Sequence, residues 1–486
     1  MRLLALYVLA GLVGEGWAAS AADWRGRSIY QVFTDRFART DGSTTSPCDV
    51  TKNTYCGGTW RGIQNKLDYI KNMGFTAIWI SPITAQVPDG YHGYYQSDLY
   101  TLNSNFGTPS DLKSLSAAVH AKGMYLMVDV VPNHMGWRGC HDTVNYSTYR
   151  TLNRAEYFHS FCPLTNMANQ TEVEKCWISG ANDCGITMPD LNTNHATVAR
   201  ELGTWIQGLV KEYGIDGLRI DSVKNVNKDF FPPWCRSAAV FCMGEVSEGL
   251  STYTYPYQSY LDSILDYPLY YSLTRVFTKQ ANMTDLVANL AASSKARDPT
   301  LLGRFLENHD NPRFAGLTGD EALARNAAVM VVLGDGIPLV YQGQELRYTG
   351  GDDPGCREAV WGSGYPQTPL STHIALLNRL RTFLSHAPGS AFLSSFTRTL
   401  SISSDASTLQ LRKSSLRLIL TNSGTTGSYT LKTSGMGFKN GETVVEVLGC
   451  KKYMAGQDGE VSVDMDGGPK VLVEGGGLWG SGVCGF

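Results

Sequence analysis

Two charged residues one step apart on a strand-like run, Arg219 and Asp221, are the first sign of chemistry in this chain. They lie in Gly217-Leu218-Arg219-Ile220-Asp221-Ser222-Val223-Lys224, where apolar and polar types alternate. A period of two places Leu218 and Ile220 on one face and Arg219 and Asp221 on the other. A guanidinium within a few ångströms favours the ionised carboxylate. An ionised, immobilised aspartate is what a carboxylate nucleophile requires. Taken alone the two residues also fit a structural ion pair, so the surrounding elements must decide.

Short apolar runs that read as strands cover 28–33, 76–81, 124–131, 217–221, 240–245, 263–267, 302–307 and 337–342. Helical spacing fills most of the intervals, over 63–73, 111–122, 198–213, 284–296, 321–333 and 372–386. Eight strands alternating with helices predict an α/β fold of the (β/α)8 barrel type. An open doubly wound sheet is the alternative, and no Gly-rich phosphate loop follows the first strand to support it. The stretch 134–191 holds four cysteines and no clear helix, and reads as a small domain inserted after strand three. It divides the expected barrel into 23–133 and 192–388. From 389 to 486 the pattern changes to short runs at 409–412, 416–420, 428–431, 443–447, 461–463 and 470–473, a C-terminal antiparallel β-sandwich domain.

In a barrel of this kind chemistry gathers at the C-terminal ends of the strands. Asp129 and His134 follow the third, Arg219 and Asp221 the fourth, Glu245 the fifth, and Glu307-Asn308-His309-Asp310 the seventh. Acidic groups at separate strand ends repel one another and suggest function rather than support. Two chemistries fit: a divalent-metal site for enolisation, or glycoside cleavage by paired carboxylates. An arginine beside Asp221 competes with a metal and weakens the first.

The formal net charge of −3 argues against nucleic acid or an anionic membrane as partner. Residues 1–22 read as a secretory signal, with Arg2, an apolar core from Leu3 to Val13 and small residues from Ala18 to Ala22. No later apolar run is long enough to span a bilayer. Eleven cysteines in a secreted chain suggest disulfides. Closeness along the chain favours Cys48–Cys56 and Cys162–Cys176, and position at the end of the chain Cys450–Cys484, with Cys140 and Cys184 as a candidate fourth pair. Cys235, Cys242 and Cys356 remain, and the odd total leaves at least one without a partner. The absence of CxxC argues against zinc. Asn145, Asn169 and Asn282 begin glycan acceptor patterns.

Taken in order, Asp129–His134, Gly217–Lys224, Gly244–Val246 and Phe305–Asp310 resemble the four signature regions of the α-amylase family of glycoside hydrolases, and Met188-Pro189-Asp190-Leu191 resembles an additional short region. The resemblance runs through the whole chain after the leader and is nearest to secreted fungal α-amylases. It implies Asp221 as nucleophile, Glu245 as general acid and then base, and Asp310 as the carboxylate that grips the distorted sugar. It implies substrate contacts at Arg219, His134, His309, His92, Tyr94, Lys224, Asp353 and Arg357. It also implies a structural Ca2+ between barrel and insertion, held by the side chains of Asn133 and Asp190 and the carbonyls of Glu174 and Asn225, all oxygen donors. The implied substrate is an α-glucan and the implied state a secreted monomer. Three departures stand out. Asn225 occupies a position that is usually histidine, the loop from Thr84 to Gly90 is short, and Tyr255 and Arg297 replace a disulfide. A changed acceptor side keeps two alternatives in view: an α-glucan transferase using the same intermediate, and a catalytically weak glucan-binding protein.

Overall fold

The structure, a computed structural model, describes residues 19–180, 184–425, 427–433 and 435–486. The leader expected over 1–22 falls, for residues 1–18, outside the described residues.

Each of the eight apolar runs contains a strand: β1 Ile29–Val32, β2 Ala77–Ile80, β3 Tyr125–Val130, β4 Gly217–Ile220, β5 Phe241–Gly244, β6 Ser263–Ile264, β7 Gly303–Arg304 and β8 Ile337–Tyr341. Their lateral order is β6-β5-β4-β3-β2-β1-β8-β7. A parallel bridge between Leu265 and Gly303 joins the two ends and closes the barrel. Strands β1, β2, β4, β5 and β8 are buried at every position. Helices cover the outside and side chains fill the inside, so such strands read as near-continuous apolar runs. The two faces are still distinct. Leu218 and Ile220 pack outward into the core beneath the helices, whereas Met127, Phe241, Met243 and Leu339 fill the barrel interior. Register places Asp129 beside Arg219 and Arg219 beside Met243, so this guanidinium points inward.

The helices include Pro109–Ala121, Ala196–Tyr213, Met283–Ser293, Glu321–Leu333 and Pro369–His386. The expected helix over 63–73 is two short ones, Trp60–Asn65 and Leu67–Asn72, divided at Lys66, whose φ of −114° and ψ of 11° leave the helical basin. The insertion after β3 carries one antiparallel pair, Trp137–Arg138 with Ile186–Thr187. It also has three short 3-10 turns and, at Gln170–Val173, one turn of α-helix where no helix was anticipated. Disulfides Cys140–Cys184 and Cys162–Cys176 lie within it. The other bridges are Cys48–Cys56, Cys235–Cys242 and Cys450–Cys484, and Cys356 is the free thiol.

The C-terminal part forms a six-stranded antiparallel sheet and a two-stranded one, Tyr429–Lys432 with Ser462–Met465. Ile419, Val444, Val463, Met465 and Leu472 form the core between them. Strands Arg398–Ile402 and Lys451–Met454 were not expected; they are the sheet's edges and largely exposed. Lys413 reaches from this sheet to Gly334 O at 2.7 Å and pairs with Asp335, tying it to the barrel.

The mouth of the barrel is held in shape partly from its other end. Trp24 is fully buried, stacks on Phe241 with ring centroids 5.3 Å apart, and donates from Nε1 to Asp216 O at 3.0 Å, directly before β4. Gly217 leaves room for it, since a Cβ there would lie 2.7 Å from the indole. Trp24→Ala is expected to cost about 3–5 kcal/mol. Urea unfolding should show the midpoint falling at unchanged slope; a midpoint within experimental scatter of the parent contradicts this packing role.

Candidate active site

Arg219 sits at the centre of the barrel mouth, 1 % exposed. Its Nη1 donates to Asp129 Oδ1 and Oδ2 at 3.0 and 3.1 Å and to Asp221 Oδ1 at 2.7 Å. Its Nη2 lies 2.9 Å from Glu245 Oε1. One guanidinium therefore spans the ends of three adjacent strands, β3, β4 and β5, and the Asp221 and Glu245 carboxyls flank it on one rim. The ladder carries both carboxyl-bearing residues: Asp221 N donates to Val130 O at 2.9 Å and Glu245 N to Ile220 O at 2.8 Å. Ser222 follows with φ 51°, a left-handed conformation uncommon for a residue with a side chain. That turn aims its N–H at Glu245 Oε2, 3.1 Å away, and its hydroxyl at Asp221 Oδ2, 2.6 Å away.

The electrostatics divide the acids. Burial pushes the Glu245 carboxyl up to about 7; Arg219 opposes this, while Asp221 and Asp310 reinforce it. Burial acts the same way on Asp310, but His309, Arg357 and Arg219 outweigh it and hold that carboxyl below its usual value. Neighbouring acids are thus pushed apart, the pattern needed when one must arrive protonated and another ionised.

Asp310 is gripped from the far side of the mouth. Arg357 Nη2 lies 3.2 Å from its Oδ1, and Arg357 Nη1 pairs with Asp353 at 2.8 Å. Arg357 is 5 % exposed and also donates from Nε to His309 O at 2.8 Å, so it belongs to this wall rather than to a surface loop. His309 is neutral, burial lowering it to about 4. Gln31 donates to its Nδ1 at 2.8 Å, which leaves the proton on Nε2, facing Tyr94 Oη at 2.7 Å. Tyr94 in turn donates to Asp129 Oδ2 at 2.9 Å. Rings of His92 and His309 stack near Tyr94, with centroids 5.5 and 5.4 Å away. The hairpin Thr84–Gln86 with Gln96–Leu102 presents this segment. His92 Nδ1 accepts from Tyr94 N at 3.0 Å, which turns its Nε2–H toward other partners. Beside these residues a cavity of about 500 Å³ is lined by Tyr91, His92, Asp353 and Arg357 on the barrel side and by Arg138 and Ile186 from the insertion.

Other expected residues sit differently. His134 has both ring nitrogens engaged, Nε2 on Tyr94 O at 2.9 Å and Nδ1 with Asn133 Nδ2 at 3.1 Å. Lys224 is half-buried and donates to Ser247 O at 3.0 Å, just past Glu245. The Asn225 side chain was expected to alter the leaving-group side. It instead turns into the insertion and donates to Val173 O at 3.2 Å, because the backbone there bends away from the mouth in a 3-10 turn. Glu307 is a support: it pairs with Arg313 at 3.0 Å and accepts from Phe314 N. Tyr255 and Arg297 take separate partners, Asp266 and the Gln258 carbonyl.

Asn133 and Asp190 meet where the insertion rejoins the barrel. His134 bridges Asp190, and Leu191 N donates to Asn133 O at 2.8 Å. Gln170, on the turn leading to Glu174, reaches Lys224 O at 3.2 Å, next to Asn225. Asp190 is buried; its Oδ2 lies 2.6 Å from His159 Nδ1, and its Oδ1 has no partner. Burial pushes this carboxyl up to about 7. Among the described residues, no three acidic, His or Cys side chains cluster as a metal site, so any ion here depends on one carboxylate, one amide and main-chain carbonyls.

The family described as Alpha amylase, catalytic domain, matches residues 31–361, and Alpha-amylase, domain C, matches 401–486. The chain belongs to the α-amylase family. Alpha-amylase 2 of Schwanniomyces occidentalis is 42% identical over 484 residues, covering 97% of this chain and 94% of its own length. Among solved structures, an α-amylase from Malbranchea cinnamomea superposes with a TM-score of 0.92 at 44% identity, covering 96% of this chain and 100% of that one. An α-amylase from Geobacillus thermoleovorans complexed with acarbose gives 0.80 at 27% identity, covering 92% and 98%.

Within this α-amylase fold, Tyr267 and Asn308 were not foreseen. Tyr267 donates to Glu245 Oε1 at 2.9 Å, and Asn308 Nδ2 donates to Tyr267 Oη at 3.1 Å. Tyr267 closes the run 263–267 that reads as a strand, but the strand β6 stops at Ile264 and Tyr267 opens the helix Tyr267–Phe277, which was not expected; only Asn308, inside the Asn308-His309-Asp310 run, carried a sequence signal.

Arg219→Leu would leave three carboxyls without their shared cation, at a cost of about 3–5 kcal/mol near neutral pH. The folded values of Asp129 and Glu245, already above the ordinary 3.8 and 4.5, would rise further. An acid with a raised folded value loses stability as pH climbs from its unfolded value through its folded one, so parent and variant diverge only where the parent's carboxyls give up their protons and the variant's keep them. The gap between parent and variant urea midpoints should therefore be smaller at about pH 5 and grow as pH rises through the parent's values of about 7 and 8, toward about pH 9. An equal gap at both pH values contradicts the shared-cation account.

Proposed function

We propose that this protein is a retaining endo-hydrolase of α-1,4-glucosidic bonds in starch, glycogen or maltooligosaccharides. The observation that carries the reading is Arg219 holding Asp221 on one terminal nitrogen and Glu245 on the other, with Asp310 close enough to act on Glu245. A retaining mechanism needs its two carboxyls about 5–5.5 Å apart, close enough for both to reach one anomeric centre. Asp221 attacks C1 while Glu245 gives its proton to the departing glycosidic oxygen. Water then attacks C1 of the glucosyl-aspartate as Glu245 takes its proton, and Asp221 leaves. Asp310, fixed by Arg357 and His309, accepts hydrogen bonds from the hydroxyls of the distorted sugar. His92, Tyr94, Asp353 and Arg357 line the non-reducing side, Lys224 the leaving-group side, and His134 supports Tyr94 beside the ring. The buried Asn225 side chain removes the main reason for expecting transfer over hydrolysis.

The domain limits that best suit this reading are a barrel over 23–133 and 192–388, an insertion over 134–191 and a C-terminal domain over 389–486. Five disulfides and exposed acceptor asparagines at 145, 169 and 282 support a secreted, glycosylated protein. Among the described residues no helix is long and apolar enough to cross a membrane. The residues proposed for calcium fit a hard cation. Asp190 Oδ1 is a buried carboxylate oxygen lacking a partner, and the Asn133 amide and the carbonyls of Glu174 and Asn225 are neutral oxygen donors. When bound, the ion would supply the positive charge that Asp190 lacks and fasten the insertion to the barrel, away from the reacting carboxyls.

Two experiments test these points. Asp221→Asn should lower turnover of a defined maltooligosaccharide by at least about 10³-fold with the melting temperature preserved. The parent should give shorter sugars only; products longer than the substrate indicate a transferase, and no change indicates a binding protein. Calcium chelation should lower the parent's melting temperature by several degrees and leave that of Asp190→Asn almost unmoved. An unmoved parent refutes the calcium site.

A further inference from the structure

Glu245 has two oxygens, and a general acid works only if its proton is on the one that faces the leaving group. The surroundings of the two differ. Oε2 accepts one hydrogen bond, from Ser222 N at 3.1 Å. Oε1 lies 2.9 Å from Arg219 Nη2 and accepts from Tyr267 Oη at 2.9 Å. A proton placed on Oε1 would confront both the guanidinium and the phenol O–H. The direction of the phenol is itself fixed. Asn308 Oδ1 accepts from Asp310 N, Asn311 N and Asn311 Nδ2 at 3.1, 3.1 and 2.9 Å, so its amide can present only Nδ2 to Tyr267. Asn308 thus fills the acceptor side of the phenol oxygen, and the remaining O–H must donate to Glu245. Both residues are buried, Tyr267 2 % and Asn308 5 % exposed, and the Tyr267 ring is packed edge-on to Phe305 with centroids 5.1 Å apart.

We propose that Tyr267, polarised by Asn308, is a positioning residue that keeps Glu245 Oε1 proton-free and so confines the exchanging proton to Oε2. This rests on Glu245 being the acid/base of the proposed reaction. In the first step the Oε2 proton moves to the glycosidic oxygen as its bond to C1 breaks; in the second, Oε2 takes a proton from the attacking water. Tyr267 keeps its own proton in both steps and touches no substrate. The charged or titratable groups that act on Glu245 are Arg219, Asp221, Asp310, Tyr267 and Tyr271.

The test is Tyr267→Phe, which preserves the ring, assayed on two maltooligosaccharides. One ends in a sugar leaving group; the other ends in a dinitrophenyl group that departs without protonation. Losing one hydrogen bond to a charged group should lower kcat/KM on the sugar leaving group about 10- to 100-fold. The aryl substrate should lose less than about 3-fold, and the basic limb of the pH profile should move upward because the carboxylate has lost a donor. Asn308→Asp, which can turn the phenol O–H away from Glu245, should reproduce the leaving-group selectivity, and it serves as the second arm if Tyr267→Phe misfolds. Equal losses on both substrates with an unmoved basic limb, or no loss on either, overturn the proposal. Glu245→Gln separates the two levels: if it still cleaves the sugar leaving group, the acid/base reading fails and takes this inference with it.

Discussion

The Arg219 guanidinium is the interaction on which the active site depends. Buried carboxyls at the ends of three neighbouring strands share it, and among the described residues no second cation touches all of them. Each contact has a separate consequence. The one with Asp129 anchors the arginine to β3, the one with Asp221 holds the proposed nucleophile, and the one with Glu245 sets the distance between the two proposed reacting groups. One positive charge among several buried acids does not favour ionising all of them. Burial and acidic neighbours push both Asp129 and Glu245 toward keeping a proton, and of these two Glu245 is the one that shares Ser222 with Asp221 at the rim.

The barrel makes this arrangement possible by geometry alone. Parallel register sets Asp129 beside Arg219, and the period of two sends both side chains inward at the mouth. Residues far apart in sequence then need only short further supports. Ser222 reaches both carboxyls through its left-handed turn, while Arg357 reaches Asp310 from beyond β8 and ties it to His309. The insertion contributes the opposite wall of the cleft through Arg138 and Ile186. Its attachment at Asn133 and Asp190 is therefore close to the substrate path though apart from the chemistry.

Much of this was legible in the sequence, for identifiable reasons. The barrel strands are buried on both faces and stand out as apolar runs, and acids at their ends are conspicuous because they are costly there. Edge strands such as Arg398–Ile402 and Lys451–Met454 bury too little to leave a pattern. The break at Lys66 is a departure in backbone angles that hydrophobic spacing does not report. Tyr267 looks like any core aromatic until its hydroxyl is seen on Glu245, a contact set by the closure of the barrel rather than by local sequence. The direction of Asn225 depends on the 3-10 turn at 223–225, and residue type alone favoured neither orientation.

The central claim is that Asp221 and Glu245 act on one sugar through a covalent intermediate. The anomeric configuration of the first-formed product, followed by NMR before mutarotation during cleavage of a maltooligosaccharide, tests it most directly. Two displacements at the same carbon predict the α-anomer first. If the β-anomer appears first, water has attacked directly, and the pairing of these two residues across a single guanidinium has been misread.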